Sequence, residues 1–162
     1  MWDRPPSGHH ATVPRLLVVH HTPSPNLQAV LEAVREGAAM VDDVELVERP
    51  ALSAGAADLL SADGVVLGTP ANIGYMSGAL KHFFDTIYYP CLDATVGLPY
   101  GVYVHGGDDT SGALRAIGAI AGALRWKQVA APLSLTGPPG PAELEATREL
   151  AATVAISLVG AS

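Results

Sequence analysis

Short apolar runs alternate with amphipathic stretches along most of this chain. The runs RLLVVHH, at residues 15–21, and GVVLGT, at residues 64–69, are typical of strands buried on both faces of a sheet. Between them Leu27, Val30 and Leu31 recur at helical spacing, with polar residues in the intervals. Parallel strands need a crossover connection, usually a helix, so this alternation predicts a parallel sheet covered by helices on both faces.

The rest of the sequence continues this alternation. The further strands are predicted at residues 43–49, 99–107 and 128–137, and the further helices at residues 51–63, 76–87, 110–126 and from 141 onward. We therefore predict an α/β fold with a five-stranded parallel sheet in the order 2-1-3-4-5. In that order, ligands bind beyond the carboxyl ends of the first and third strands, where the strand order reverses.

Composition restricts the class of protein further. A chain of 162 residues is long enough for one compact domain, which we predict over residues 15–162 after an N-terminal arm of residues 1–14. The net charge of -7, with the basic residues scattered, argues against nucleic-acid binding. Cys91 is the only cysteine, so we expect no internal disulfide and a cytoplasmic location. We expect neither a secretory signal in the arm nor insertion into a membrane.

The segment that follows the first strand offers donors for an anion. Thr22, Ser24 and Asn26 alternate with prolines just before the first helix. Their hydroxyl and amide groups can donate to phosphate oxygens, and the helix adds free N–H groups and the positive end of its dipole. The alternative is that Ser24 or Asn26 only caps the helix. The segment is neither a Walker A loop nor a dinucleotide fingerprint.

Two motifs resemble the flavodoxin-like superfamily, in particular its NAD(P)H-dependent FMN reductase and quinone reductase branch. TPSPNLQAVLEAVREGA, at residues 22–38, is similar to the family's phosphate loop and following helix. GTPANIGYMSGALKHFFD, at residues 68–85, is similar to the family's G-T-P-x-Y-x-G-x-M-x-x-x-L-K-x-F-x-D stretch. The resemblance covers nearly the whole chain from about residue 15 onward. It implies a flavodoxin-like three-layer αβα sandwich that binds FMN as its cofactor.

The resemblance also implies which residues contact FMN. Those near the phosphate would be His21, Thr22, Ser24, Asn26 and Leu27. Those along the isoalloxazine ring would be Pro70, Ala71, Asn72, Ile73, Gly74 and Tyr75. A third loop would contribute His105, Gly106, Gly107 and Asp108. No side chain is predicted to be catalytic, since the flavin carries the chemistry, and no metal site is predicted from His9, His10, His20 and His21.

The phosphate loop departs from the family pattern. Pro25 stands where the family usually has glycine, and Leu27 where it has threonine, while Pro23 and Pro25 lack N–H donors. Each lost hydrogen bond to a charged group costs about 1.5–3 kcal/mol if nothing replaces it. We therefore expect FMN to bind more weakly than in typical relatives.

The function implied by the resemblance is hydride transfer from NADH or NADPH, through FMN, to a quinone or another small acceptor. Two alternatives stay open, a one-electron carrier of the flavodoxin type and an FMN-free binding or regulatory module. The resemblance also implies a homodimer or homotetramer. Asp108 and Asp109 are interpreted either as charges that adjust the flavin potential or as caps of the next helix. Gly118 and Gly122 are expected to let that helix pack closely on the sheet or on a partner subunit.

Overall fold

The computed structural model describes residues 13–160, so the predicted N-terminal arm lies outside the described residues except for Val13 and Pro14. The strands are β1 (Arg15–His20), β2 (Glu45–Pro50), β3 (Gly64–Asn72), β4 (Tyr75–Met76), β5 (Pro99–Gly106), β6 (Lys127–Gln128) and β7 (Leu133–Thr136). The helices are α1 (Pro25–Ala39), α2 (Ala56–Leu60), α3 (Gly78–Cys91), α4 (Ser111–Ala123) and α5 (Pro141–Val159). The predicted α/β alternation is confirmed.

The main sheet is parallel and has the predicted order. Its strands run β2-β1-β3-β5, and the fifth position beside β5 is shared by β6 and β7. The prediction of one continuous fifth strand over residues 128–137 is wrong, because residues 129–132 separate two short strands. Pro132 contributes to this break, since proline has no N–H to donate to the ladder.

Helices cover both faces of the sheet. On one face α1 and α5 pack on alternate side chains of the strands, including Val18 and Val66, which are fully buried. On the other face α3 and α4 bury the neighbouring set, including Val65 and Leu67. The central strands are therefore apolar on both sides, which explains why their sequence shows continuous hydrophobic runs and not alternation.

Gly118 and Gly122 do not face the sheet. Both are exposed on α4, and a Cβ built on either would have no heavy atom within 4 Å. The expectation that they let α4 pack closely on the sheet is wrong. The apolar face of α4 is instead formed by Ala113, Ile117 and Ala121.

A different glycine is needed for close packing. Tyr103 on β5 is fully buried, and its ring lies over Gly68 on the neighbouring strand β3. A Cβ at Gly68 would lie 2.0 Å from Cζ and 2.1 Å from the hydroxyl oxygen of Tyr103. Since real Cβ atoms do not approach other atoms so closely, the phenol occupies space that only glycine leaves free.

We predict that Gly68→Ala destabilises the protein by about 1–3 kcal/mol, since the added methyl group overpacks the site. The matched control is Gly118→Ala, which should stabilise the protein by about 0.5–1 kcal/mol, because glycine inside a helix is less favourable than alanine. Urea unfolding measures both changes. Tyr103→Val should reduce the effect of Gly68→Ala in a double-mutant cycle. Equal effects of the two alanine substitutions would contradict this account.

Candidate functional site

Three loops meet at the carboxyl edge of the sheet. β1, β3 and β5 are parallel neighbours, with His20 aligned to Gly68 and Pro70 aligned to His105. The loops that follow β1 and β5 and the extension of β3 therefore share one edge, as the predicted strand order requires. A Cβ on Gly106 would lie 3.3 Å from the Cβ of Ala71, so the second and third loops are in contact.

The first loop forms the N-terminus of α1. Ser24 is the N-cap residue, and its hydroxyl oxygen accepts a hydrogen bond from the N–H of Leu27 at 3.2 Å. The Leu27 N–H, predicted to hold a phosphate, is thus already paired, and its side chain is buried in the core. Thr22, Ser24 and Asn26 are partly exposed, and the first turn of α1 contains no acidic residue. This arrangement favours an anion.

His20 lies directly behind this loop, at the end of β1. Its Nδ1 atom lies 2.7 Å from Oγ1 of Thr22, a hydrogen bond whose donor depends on the imidazole tautomer. Burial lowers the pKa of His20 below its ordinary value, and the nearby Glu48 carboxylate opposes that shift. Arg35 and His21 lower the pKa of His20 further. The imidazole is therefore mainly neutral near pH 7.

The hydroxyl of Tyr103 is a buried polar group without a partner. Among the side chains of residues 13–160, it is the one fully buried oxygen or nitrogen atom for which no hydrogen bond is found. Burial raises the pKa of Tyr103 well above its ordinary range, so the hydroxyl is protonated. An unsatisfied buried hydroxyl costs about 1–3 kcal/mol. Tyr103 therefore carries an unfavourable buried hydroxyl close to the edge of the sheet where the three loops meet.

The second segment is a β-hairpin, not an irregular loop. β3 was predicted to end at Thr69 but continues to Asn72, where it pairs with Tyr75 of the antiparallel strand β4. Ile73 and Gly74 form the turn with φ angles of 51° and 73°, the pattern of a type I′ turn. Since Ile73 is β-branched, this left-handed backbone is strained, and its side chain is fully exposed.

The hairpin is held at its base and at its tip. At the base, the Thr69 hydroxyl oxygen accepts a hydrogen bond from the N–H of Ser77 at 3.0 Å. At the tip, the carbonyl oxygen of Gly74 would lie 2.0 Å from a Cβ at Gly112 in the first turn of α4. The tip therefore rests on α4 at a position where only glycine fits. These contacts present Asn72, Ile73 and Tyr75 to solvent at the sheet edge.

The third loop is tied to the fifth sheet position. Nε2 of His105 lies 2.8 Å from the carbonyl oxygen of Gly137, and the hydroxyls of Thr110 and Ser134 lie 2.5 Å apart. The Asp109 carboxylate accepts a hydrogen bond from the N–H of Ser111 at the start of α4, and this bond lowers the pKa of Asp109. This bond agrees with the capping interpretation for Asp109. Gly107 and Asp108 are exposed.

The structure thus brings the predicted residues of all three loops to one edge, although their contact with a ligand stays a prediction. His20, Thr69 and Tyr103 were not among the predicted site residues. A signal for Tyr103 appears only once the strands are aligned, because a glycine beside a tyrosine then marks a close approach. Thr69 was hidden because the strand was expected to end there.

The donor set of the first loop fits a phosphate monoester. Two hydroxyl groups, from Thr22 and Ser24, and the amide of Asn26 lie at a helix N-terminus that lacks acidic residues. Within residues 13–160, no group of three or more His, Cys, Asp and Glu side chains is arranged to hold a metal ion. His9 and His10 lie outside the described residues. None of the described helices is long and apolar enough to cross a membrane.

Comparisons with known proteins agree with the fold. A flavodoxin from the domain Archaea superimposes with a TM-score of 0.78 at 17% identity, over 89% of this chain and 98% of that one. A flavodoxin, WrbA-like protein from Agrobacterium tumefaciens gives a TM-score of 0.73 at 20% identity, over 93% of this chain and 99% of that one. These structures confirm the predicted flavodoxin-like αβα sandwich.

Sequence comparison is more specific. A flavodoxin of Aquifex aeolicus (strain VF5) is 34% identical over 73 residues, which are 45% of this chain and 40% of that protein. The chain therefore matches less than half of the length of this curated relative. Residues 34–134 match the NADPH-dependent FMN reductase family, a span that includes the hairpin and the third loop. Because this match covers more than half of the 162 residues, the chain belongs to the NADPH-dependent FMN reductase family.

Proposed function

We propose that this protein binds FMN at the carboxyl edge of its sheet and transfers hydride from NADH or NADPH to a quinone or another small acceptor. The observation that carries the proposal is the meeting of three loops at the reversal of strand order, one of them with donors suited to a phosphate. Family membership supports the FMN part of the proposal.

The first loop would hold the FMN phosphate. Thr22 and Ser24 would donate from their hydroxyl groups, since the Ser24 oxygen accepts from Leu27 and keeps its proton for another partner. Asn26 would add its side-chain amide and a backbone N–H in the first turn of α1. The phosphate would then be bound by dipoles and hydrogen bonds, without a Lys or Arg from this loop.

The hairpin and the third loop would hold the ring. The backbone from Pro70 to Tyr75 and the loop from His105 to Asp108 lie at the same edge of the sheet. The exposed side chains of Ile73 and Tyr75 would cover apolar ring surface and keep water from it. When bound, FMN supplies the hydride chemistry, so the protein contributes binding, orientation and electrostatics.

The one-electron carrier is the second candidate, since the curated relative with 34% identity is named a flavodoxin. Steady-state oxidation of NADH or NADPH with a quinone separates the two functions. Turnover with FMN-loaded protein, well above that of free FMN, is the expected result. FMN retention without turnover would favour the carrier. A protein that is colourless after mixing with excess FMN and desalting would favour the FMN-free module.

Pro25 provides a test of the phosphate loop. We predict that Pro25→Ala strengthens FMN binding by roughly tenfold or more, because it restores an N–H donor to a charged group. The matched control is Pro141→Ala, which changes the equivalent first position of α5 at the far end of the chain. Fluorescence titration with FMN and with riboflavin measures the change. The gain should be absent for riboflavin, and an equal gain for both ligands would contradict phosphate binding at this loop.

Ile73 provides a test of the ring contact. We predict that Ile73→Asn stabilises the free protein by about 1 kcal/mol, because asparagine adopts the left-handed backbone more easily. The same change should weaken binding of FMN and riboflavin alike, since both carry the ring. The control is Ile156→Asn, an exposed isoleucine on α5, which should leave both affinities unchanged. Thermal unfolding and titration test the two effects, and unchanged flavin affinity in Ile73→Asn would remove Ile73 from the site.

A further inference from the structure

Two polar side chains lie in one row behind the phosphate loop. His20 of β1 aligns with Gly68 of β3, and Gly68 aligns with Tyr103 of β5. The end of the Tyr103 ring lies over Gly68, so its unpaired hydroxyl is directed from β5 toward β1. The surrounding layer is apolar, with Val18 and Leu27 nearby in the same core. Within this row, His20 is the residue that contacts the loop, through its hydrogen bond with Thr22.

The His20–Thr22 hydrogen bond has two forms with opposite effects on an anion. If Nδ1 is unprotonated, the Thr22 hydroxyl donates to it and presents only lone pairs to the loop. If Nδ1 carries a proton, either in the neutral Nδ1–H tautomer or in the imidazolium, the imidazole donates to Thr22, and the hydroxyl proton is free for a ligand oxygen. A phosphate group therefore needs the second form.

Glu48, Arg35 and His21 are the titratable groups that act on His20 from neighbouring parts of the fold. Glu48 on β2 and Arg35 on α1 form an ion pair with a 2.7 Å distance between carboxylate oxygen and guanidinium nitrogen. Arg35 is also paired with Glu32, at 2.8 Å. His21 lies in the loop itself, and Tyr103 on β5 is protonated and therefore uncharged. Because the Arg35 charge is already compensated, a bound phosphate would be the main new charge near His20.

We propose that His20 is a positioning residue for the phosphate group, and that binding of a phosphate monoester at the N-terminus of α1 draws one proton from solvent onto its imidazole. The protonated ring donates from Nδ1 to Thr22, and Thr22 donates to the phosphate. The identity of that monoester as FMN rests on the proposed function. In the free protein burial keeps the ring mainly neutral. The negative charge of the bound phosphate favours the imidazolium over the neutral Nδ1–H tautomer, so a proton is taken up on binding.

Calorimetry in two buffers of different ionisation enthalpy measures this proton directly. At pH 7.5 free FMN phosphate is already mainly dianionic, since its second pKa is about 6. We expect net proton uptake when the wild-type protein binds FMN and none when it binds riboflavin. His20→Asn should bind FMN with no uptake, because its amide can donate to Thr22 but does not titrate. The control His82→Asn, at an exposed histidine of α3, should behave as wild type.

A second measurement separates positioning from a purely structural role. His20→Leu should weaken FMN binding by roughly tenfold or more at pH 7, and His20→Asn should restore most of that loss. FMN affinity of the wild type should rise as the pH falls from 8 to 6.5, more steeply than that of His20→Asn. Thermal unfolding of each variant shows that the fold persists. Equal pH profiles of wild type and His20→Asn would overturn the proposal.

NMR of the histidine rings distinguishes this proposal from the FMN proposal. Inorganic phosphate should shift the His20 resonances toward those of the protonated ring and leave His82 unchanged. If FMN fails to bind but phosphate produces this shift, the His20 proposal stands and the proposed function fails. If FMN binds and His20 stays neutral, the proposed function stands and the His20 proposal is overturned.

Discussion

The candidate site depends on the parallel pairing of β3 with β1 on one side and with β5 on the other. This pairing ends three strands at one edge, and the register aligns His20, Gly68 and Tyr103 across it. The Tyr103 ring fits only because Gly68 has no side chain. The close approach is between β5, which carries the third loop, and β3, which lies between β5 and β1.

The two prolines of the first loop restrict its backbone and also reduce its number of backbone N–H donors. Pro23 and Pro25 remove two N–H groups, and Ser24 uses the Leu27 N–H for its own cap. What remains is a set of side-chain donors on a backbone with restricted φ angles. In such a loop the orientation of each hydroxyl matters more than in a loop rich in free N–H groups. The hydrogen bond between Thr22 and His20 therefore has a larger influence than its position behind the loop suggests.

Periodicity was sufficient to predict the fold. Continuous apolar runs identified the central strands, and helical spacing identified the faces of α1 and α3, because both patterns follow from burial of the residues themselves. The fifth sheet position was harder to predict, since the break at residues 129–132 depends on how the two short strands pair with β5. The orientation of Gly118 and Gly122 was also missed, because small residues fit a close contact and an open surface equally well.

The site was predicted at the level of loops and less well at the level of contacts. Thr22, Ser24 and Asn26 lie within five residues of each other in the sequence, so their common position at a helix start could be predicted directly. His20 and Tyr103 are 83 residues apart in the numbering, and their relation exists only through the register of three strands. Likewise, the hairpin depends on Gly112, whose lack of a side chain admits the Gly74 carbonyl.

The hairpin shows how local strain persists in this fold. A left-handed backbone at a β-branched residue costs about 1–2 kcal/mol, which is a noticeable part of the 5–15 kcal/mol typical of domain stability. The turn at Ile73 nevertheless keeps its geometry, because the Thr69–Ser77 hydrogen bond holds its base and α4 supports its tip. Neither support requires isoleucine at the turn. No contact of the Ile73 side chain within the described residues therefore offsets the cost of its backbone conformation. Contact with an apolar ligand surface is the interaction that would offset this cost.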